Sequence, residues 1–285
     1  MGRQRRRRAE QESTTAPPVG VATGVGVVRV ADDPTRPRVS LLAIDQHVHG
    51  AVDTGDPTHL ALGYLDRLGR LVEVLRPDTG GEPGTIVHLG GGAFALPRAL
   101  LARARAAGRP ADTQLVMERS RAVIRVAREQ LGLRDQPDLV VRSGDARAGI
   151  ERLGDRQALM VVGDAFVGLE TPRQLATVEF LDHVRRVLVP DGVYVVNLVD
   201  QPPHPVVAAQ AATARAVFDT VFVVADRGVA NLRDPGNAFL VATDRDVALG
   251  ELGHLLAVGA HPSAVVRPGR LTALADSARP RHDSD

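Results

Sequence analysis

A glycine run placed between an apolar stretch and a helical stretch has the chemistry to hold a nucleotide-like group. Residues 85–98, TIVHLGGGAFALPR, read as a strand, three glycines (Gly90, Gly91 and Gly92) and the opening of a helix. Glycines at such a turn let the backbone pass close to a ligand, and the helix N-terminus favours polar and anionic groups. The spacing Gly-x-Gly-x-x-Ala fits the dinucleotide-binding pattern, which is unspecific by itself.

Three acidic residues follow the next three apolar runs. Glu118 lies about one βα unit after the glycines, where a carboxylate can accept hydrogen bonds from both ribose hydroxyls. Asp145, in a Ser-Gly-Asp-Ala turn, is placed to accept from an adenine amino group, or it simply caps its helix. Asp164 opens the loop GDAFVG, where it could act as a general base or orient an amine nucleophile.

The elements around these residues predict that all of them meet at one edge of a sheet. Alternating strands and helices after residue 84 predict an α/β fold, a doubly wound, seven-stranded, Rossmann-like sheet that ends in an antiparallel hairpin. The strands are predicted at 85–89, 113–117, 139–142, 158–162, 193–199, 220–225 and 237–243. The helices between and after them are predicted at 94–107, 121–131, 146–153, 173–188, 206–218 and 250–256. Ligands of such sheets bind beyond the carboxyl ends of the strands, which is where the glycines and the three acids fall.

The remaining segments predict a second, smaller unit and two tails. Residues 1–18 are expected to be a disordered basic tail, and residues 19–57 a small N-terminal antiparallel β-module. Residues 58–84 form a linking helix, predicted over 59–75, and a loop. The Rossmann-like nucleotide-binding domain covers 85–261, and 262–285 are expected to be a flexible tail.

Composition excludes several classes of function. The chain has no cysteine and no lysine, which excludes disulfides, thiolate metal sites, Schiff-base chemistry and a P-loop lysine. It has no apolar run of the roughly 20 residues that would span a bilayer, and no apolar core follows its basic N-terminus, so we expect a cytoplasmic protein without membrane partners. With a net charge of +1, nucleic acid is an unlikely partner. The histidines, among them His47 and His49, lack acidic partners at ligand spacing, so no metal site is expected; His88 is interpreted as a hydrogen-bonded core residue.

Several segments together resemble a known family. They are HLGGGAFALPR, LVMERS, VRSGDARAGI and VVGDAFVGLETPRQLATVEFLDHVRRVLVPDGVYVVNLVD, preceded by LLAIDQHVHGAVDTGDPTHLALGYLDRL. The resemblance is to the spermidine synthase-like (aminopropyltransferase) branch of the class I S-adenosylmethionine-dependent methyltransferase fold, and it covers roughly residues 39–243. The upstream segment combined with DAF…TP…L.T.EF is considerably more specific than the glycine run.

The resemblance implies a β-module followed by a seven-stranded domain, assembled as an oligomer, for which we expect a homodimer. It also implies S-adenosylmethionine or its decarboxylated form as co-substrate, a small-molecule amine as acceptor, and no metal. By position, Glu118 would hold the ribose, Asp145 the adenine, and Gln46 would approach the side chain at the sulfonium. Asp164 would help to deprotonate the attacking amine, and Tyr64 would line the polyamine pocket.

Two positions depart from the family pattern. The glycine loop of the family continues with Asp-Gly, where this chain has Ala93 and Phe94, and the family's second loop aspartate is replaced by Val167. A dicationic polyamine needs carboxylates to replace its hydration, so an ordinary putrescine substrate is not expected.

Four functions therefore stay open at this point. The first is aminopropyl transfer to an amine acceptor, and the second is methyl transfer from S-adenosylmethionine on the same scaffold. The third is a non-catalytic nucleoside-binding homologue. A nicotinamide dehydrogenase is disfavoured because no second substrate domain is evident.

Overall fold

The structure, a computed structural model, describes residues 20–23 and 26–285. The predicted basic tail over residues 1–18 lies outside the described residues. No helix in the described part of the chain is long and apolar enough to cross a membrane.

A four-stranded antiparallel sheet opens the described chain, which confirms the predicted N-terminal β-module. Its strands, in both sequence and spatial order, are β1 (Val21–Thr23), β2 (Gly26–Asp33), β3 (Arg36–Ile44) and β4 (His47–Asp53). Buried Val28, Leu42 and Val52 of this sheet join the same apolar core as one face of the larger sheet. The module therefore packs on the main domain of its own chain, because a sheet this small cannot bury enough apolar surface alone.

The larger sheet has the predicted doubly wound α/β architecture. Its strands are β5 (Thr85–Leu89), β6 (Thr113–Glu118), β7 (Leu139–Ser143), β8 (Ala158–Gly163), β9 (Leu188–Asp200), β10 (Thr220–Ala225), β11 (Gly236–Thr243) and β12 (Ala264–Val265). They lie in the order β12-β10-β11-β9-β8-β5-β6-β7. Neighbours from β7 to β9 are parallel, whereas β11 is antiparallel to both β9 and β10, as the predicted terminal hairpin requires. The two-residue β12 is an addition to the seven predicted strands.

Helices cover both faces of this sheet. They are α1 (Gly63–Leu75), α2 (Ala95–Ala106), α3 (Arg121–Gln130), α4 (Ala146–Arg152), α5 (Val178–Val187), α6 (Pro205–Arg215), α7 (Arg227–Ala230), α8 (Leu249–Leu256) and α9 (Pro268–Asp276). Side chains cap several of them: Ser120 accepts from the Val123 amide at the start of α3, and Asp145 accepts from the Ala148 amide at the start of α4. Because these helices begin at the carboxyl ends of β6 and β7, their caps lie at the ligand edge of the sheet.

Two predicted elements differ in the structure. The helix predicted over 173–188 is a short 3₁₀ turn, Arg173–Leu175, followed by α5, because Thr177 caps α5 by accepting from the Phe180 amide. The helix predicted from residue 59 begins at Gly63, because Leu62 before it has an extended backbone with a φ of −102° and a ψ of 128°. His59 lies outside the helix and bonds Asp53 through its ring nitrogen.

The flexible tail predicted for residues 262–285 is wrong. This segment contains β12 and α9, and Leu271 and Ala275 of α9 are buried in the second core layer. Its last residues are tied to the domain: the Val178 amide donates to the Arg281 carbonyl, and Arg147 donates to Asp283 at 2.7 Å. The polar composition of the segment hides these contacts, because only a few of its residues, such as Val266, Leu271 and Ala275, are buried.

The ion pair at the chain end gives a small, measurable contribution to stability. We expect Asp283→Asn to lower Tm by about 1–3 °C at pH 7, because a partly exposed pair contributes up to about 1 kcal/mol. The Arg147 guanidinium lowers the pKa of Asp283 to about 2. The stabilisation is therefore complete above the unfolded-state pKa of about 3.9 and is lost as the pH falls towards 2. Thermal unfolding at pH 7 and pH 3 checks this, with Glu82→Gln in an exposed loop as control. An equal effect of Asp283→Asn at both pH values would contradict it.

Candidate functional site

A cavity of about 390 Å³ lies at the carboxyl ends of the parallel strands, within the size range of small-molecule sites. The β-module hairpin, the start of α1, the glycine loop and the loop after β8 form its walls. Six of the eight residues predicted from the sequence line it, namely Tyr64, Gly90, Gly92, Glu118, Asp145 and Asp164. The structure thus brings these six together, and their individual roles stay predictions.

The glycine loop needs glycine for two separate reasons. Gly90 has a φ of +94°, and a Cβ there would lie 2.7 Å from the Asp164 carbonyl oxygen. Gly92 has a φ of +50°, and its Cβ would lie 2.8 Å from the His49 carbonyl oxygen. Since the backbone of β8 approaches the loop from one side and that of β4 from the other, a side chain at either position would force strands of the site apart.

The Glu118 carboxylate is held in place by backbone donors. Its Oε2 accepts from the Gly91 amide at 2.9 Å, and its Oε1 accepts from the Ser120 amide at 2.7 Å. Each oxygen keeps a further lone pair for an outside donor. Gly91 therefore lies behind the cavity wall, where its amide fixes the carboxylate instead of facing the ligand.

Asp145 stands at the same end of the cavity as Glu118. Its Oδ1 accepts from the Ala148 amide at 3.0 Å, so it does cap α4, while its side chain also lines the cavity. The two predicted roles are compatible, because the cap uses one oxygen only. Apolar side chains that could sandwich a flat ring line the cavity around it, namely Met117, Val123, Ala146, Pro172 and Leu175.

Two asparagine side chains form a hydrogen-bonded chain that ends at the Asp164 carboxylate. Asn197 donates to Asp164 Oδ1 at 2.8 Å, and Asn237 donates to Asn197 Oδ1 at 3.0 Å. Both asparagines line the cavity, and neither is among the residues predicted from the sequence. The available signal was Asn197 itself, a lone amide in the apolar strand VYVVNLVD.

The surroundings of Asp164 change two pKa values. Desolvation raises the pKa of Asp164 to about 6, against the hydrogen bond from Asn197, which lowers it. Burial, and secondly the nearby Asp164 charge, raise the pKa of Tyr64 well above its usual value. Asp164 is thus a carboxylate that can take up a proton near neutral pH, and Tyr64 stays protonated.

The amide chain makes the Asp164 titration testable. We expect Asn197→Leu to raise the pKa of Asp164 above 6, because it removes the hydrogen bond to the charged form without admitting water. A carboxyl ¹³C NMR titration measures this. Asn237→Leu is the matched control with a smaller shift, since Asn237 reaches Asp164 only through Asn197; an unchanged or lower Asp164 pKa in Asn197→Leu would contradict the expectation.

The structure does not bring Gln46 to the cavity. Asp45 and Gln46 form the two-residue turn between β3 and β4, with Asp45 at a φ of +54°, which leaves Gln46 exposed to solvent. The cavity is lined instead by His47, Val48 and His49.

A β-bulge explains why three consecutive residues face one cavity. Leu42 pairs with Gly50 but Ala43 pairs with Val48, so His49 is an extra, unpaired residue of β4. A bulge breaks the alternation of a strand and redirects a side chain. Desolvation, and secondly the neighbouring His47, lower the pKa of His49, so its ring is neutral at pH 7.

The two departures from the family pattern have different structural consequences. Ala93 and Phe94 are both buried. Ala93 lines a small pocket that adjoins the main cavity at the glycine loop, and Phe94 packs in the core at a φ of +57°. Val167 is 59% exposed at the tip of the loop after β8, where Val167 and Glu170 pair through their backbones. Phe166 and Leu169 of the same loop line the cavity.

The described residues contain no cluster of three or more His, Cys, Asp or Glu side chains that could hold a metal ion. His88 is confirmed as a hydrogen-bonded core residue. Its Nε2 donates to Gln114 Oε1 at 2.7 Å, and burial lowers its pKa to about 4.

Sequence comparisons identify no relative: no protein-family model matches the chain, and no curated protein matches it. Solved structures do resemble it. A probable spermidine synthase from Corynebacterium glutamicum has a TM-score of 0.80 at 25% identity, over 94% of this chain and 97% of that one. A spermidine synthase in complex with the transition state analogue AdoDATO has a TM-score of 0.61 at 16% identity, over 80% of this chain and 73% of that one.

A methyltransferase also has this fold. The human methyltransferase-like protein 13, in complex with SAH, has a TM-score of 0.53 at 18% identity, over 79% of this chain and 97% of that one. The predicted resemblance to spermidine synthases on a methyltransferase fold is therefore confirmed at the level of structure.

Proposed function

We propose that this chain is a spermidine synthase-like transferase that binds S-adenosylmethionine or its decarboxylated form and transfers an aminopropyl group to an amine acceptor. The observation that carries the proposal is the position of Asp164. It lines the same cavity as Glu118 and Asp145, one strand beyond the glycine loop, on the side away from them. That arrangement leaves room for a sulfonium carbon between a nucleoside and a base.

The nucleoside would occupy the end of the cavity formed by β6 and β7. Glu118, fixed by two backbone amides, would accept from the ribose hydroxyls, and Asp145 from the adenine amino group. The apolar side chains around Asp145 would sandwich the adenine ring. We expect no metal to take part, because nucleophilic displacement at a sulfonium needs alignment and a base.

Asp164 would prepare the acceptor. Its carboxylate takes a proton from the acceptor ammonium, and the freed lone pair attacks the carbon next to sulfur. The new C–N bond forms as the C–S bond breaks, and the sulfur keeps that electron pair, so that 5′-methylthioadenosine leaves. A pKa near 6 supports this role, because a more basic carboxylate accepts the proton of an amine less unfavourably.

Methyl transfer is a second candidate, favoured by one observation. Buried Ala93 and the bulged His49 stand beside the glycine loop, where the donor's aminopropyl ammonium would profit from a carboxylate. S-adenosylmethionine carries a carboxylate beside its ammonium, and that carboxylate could accept a hydrogen bond from the His49 ring, whereas the decarboxylated donor has no such acceptor. A non-catalytic nucleoside-binding protein is the third outcome to be tested, and a cytoplasmic homodimer stays a proposal.

Calorimetric titration separates these possibilities. We expect 5′-methylthioadenosine and one of the two sulfonium donors to bind and NAD not to bind; failure of all adenosyl ligands would end both transferase proposals. Release of 5′-methylthioadenosine from the decarboxylated donor in the presence of amines would establish aminopropyl transfer. Tighter binding of S-adenosylmethionine, with S-adenosylhomocysteine as product, would favour methyl transfer.

A further inference from the structure

The cavity divides into two ends of different chemistry. It follows the sheet edge across β7, β6, β5, β8, β9 and β11, a span of about 24 Å at the usual strand spacing. The carboxylates among its described lining residues are Glu118 and Asp145 at one end and Asp164 in the middle. Beyond Asp164, the strand ends contribute the amides Asn197 and Asn237.

The end beyond Asp164 is walled by apolar side chains. Leu62 precedes α1, Phe166 and Leu169 come from the loop after β8, and Val199 comes from β9. Asp200, the next acidic residue along β9, faces away: its carboxylate accepts from the Gln201 and Val207 amides at the start of α6. A positive charge placed beyond Asp164 would therefore lose its hydration without meeting a second carboxylate.

Aliphatic side chains also stand at the mouth of the cavity, beside the exposed His47. Val48 of the hairpin and Leu169 of the facing loop line the cavity, yet they are 50% and 53% exposed. Val167, next to them, is 59% exposed. Single exposed aliphatic residues are ordinary, but three around one opening form a surface that an apolar ligand would cover.

We infer that the acceptor is an amphiphilic monoamine, with its one ammonium paired to Asp164 and an aliphatic or aromatic body lying along the apolar walls towards the mouth. This inference rests on the proposed function, since it names the acceptor for the same site. A diamine places a second ammonium where the described walls offer only aliphatic groups, the rings of Tyr64 and Phe166, and neutral amides. An alkyl monoamine of the same length places a methyl group, instead of the second ammonium, against these apolar walls.

A matched pair of amines tests the inference without requiring turnover. Hexylamine and 1,6-diaminohexane have the same chain length and differ in the second amine. We expect hexylamine to bind the protein saturated with 5′-methylthioadenosine at least about tenfold more tightly than 1,6-diaminohexane, and more tightly than butylamine, in calorimetric titrations at pH 8. Equal or tighter binding of the diamine, or binding of neither amine, would overturn the inference and leave nucleoside binding intact. Failure of 5′-methylthioadenosine itself to bind would instead refute the proposed function.

A charge added at the mouth gives the second arm of the test. Leu169→Asp supplies the missing carboxylate at a half-exposed position, and Leu169→Asn is its uncharged match. Both variants lose the same apolar contact, so both should reduce the preference for hexylamine over 1,6-diaminohexane. We expect Leu169→Asp to shift the ratio of the two affinities towards the diamine by about threefold or more beyond the shift that Leu169→Asn produces. The affinity for 5′-methylthioadenosine shows that each variant is folded. The same ratio in both variants would count against the apolar acceptor end.

Discussion

Replacing Asp164 by asparagine is expected to lower turnover by about 10²- to 10⁴-fold, the usual contribution of a positioned general base. Asparagine keeps the shape of the side chain and can still contact Asn197, but it cannot take a proton at any accessible pH. Asp164 lies away from Glu118 and Asp145 along the sheet edge. The affinity for 5′-methylthioadenosine should therefore change little.

The pH dependence gives this prediction a second readout. Only the ionised form of Asp164 is a base, so kcat/KM of the unmodified protein should rise as the pH increases through about 6. The Asp164→Asn protein should lack this rise near pH 6 in its pH–rate profile and keep only the pH dependence that comes from ionisation of the amine substrate. Steady-state rates of 5′-methylthioadenosine release between pH 5 and 9 measure both effects. Full activity in the variant, or an unchanged rise near pH 6, would remove Asp164 from the mechanism.

The sheet and its ligand edge were predictable because they depend on local patterns. Short apolar runs alternating with helical periodicity specify parallel strands with crossover helices, and the handedness of the crossovers leaves few arrangements. Glu118, Asp145 and Asp164 each follow such a run directly, so their meeting at one cavity needs no knowledge of long-range packing.

The missed parts of the site depend on contacts between distant segments. Asn237 meets Asn197 because β11 inserts between β9 and β10, and strand order of this kind is not encoded in either strand alone. His49 faces the cavity because a bulge shifts the register of β4 by one residue, whereas Gln46 occupies the turn. The alternation of side chains along a strand predicts which residues share a face, but it does not show where a bulge inserts one extra residue and reverses the faces beyond it.

The prediction of a flexible C-terminal tail is wrong for another reason. Its composition is typical of a solvated tail, but the contacts that order it are made with distant parts of the chain, such as Arg147 for Asp283 and Thr213 for the Arg281 amide. Nothing in the local sequence around Arg147 distinguishes it from the other arginines of the helices.

Replacing Glu118 by glutamine should weaken the binding of 5′-methylthioadenosine by about 100-fold or more. Hydrogen bonds to a charged acceptor are each worth about 1.5–3 kcal/mol, and the ribose would lose two of them. Asp145→Asn is the graded comparison, with a loss of about tenfold expected because only one bond to the adenine is affected. Calorimetric titration of the three proteins measures these differences.

Glu118 also has a structural role, since it accepts from the Gly91 and Ser120 amides, so affinity alone does not prove contact with the ribose. The 2′-deoxy analogue of 5′-methylthioadenosine separates the two roles. The unmodified protein should prefer the ribonucleoside by about tenfold or more, the value of one hydrogen bond to a carboxylate, and Glu118→Gln should lose most of that preference. If glutamine weakened both nucleosides by the same factor, Glu118 would only hold the glycine loop. The nucleoside end of the cavity would then need another ligand for the ribose.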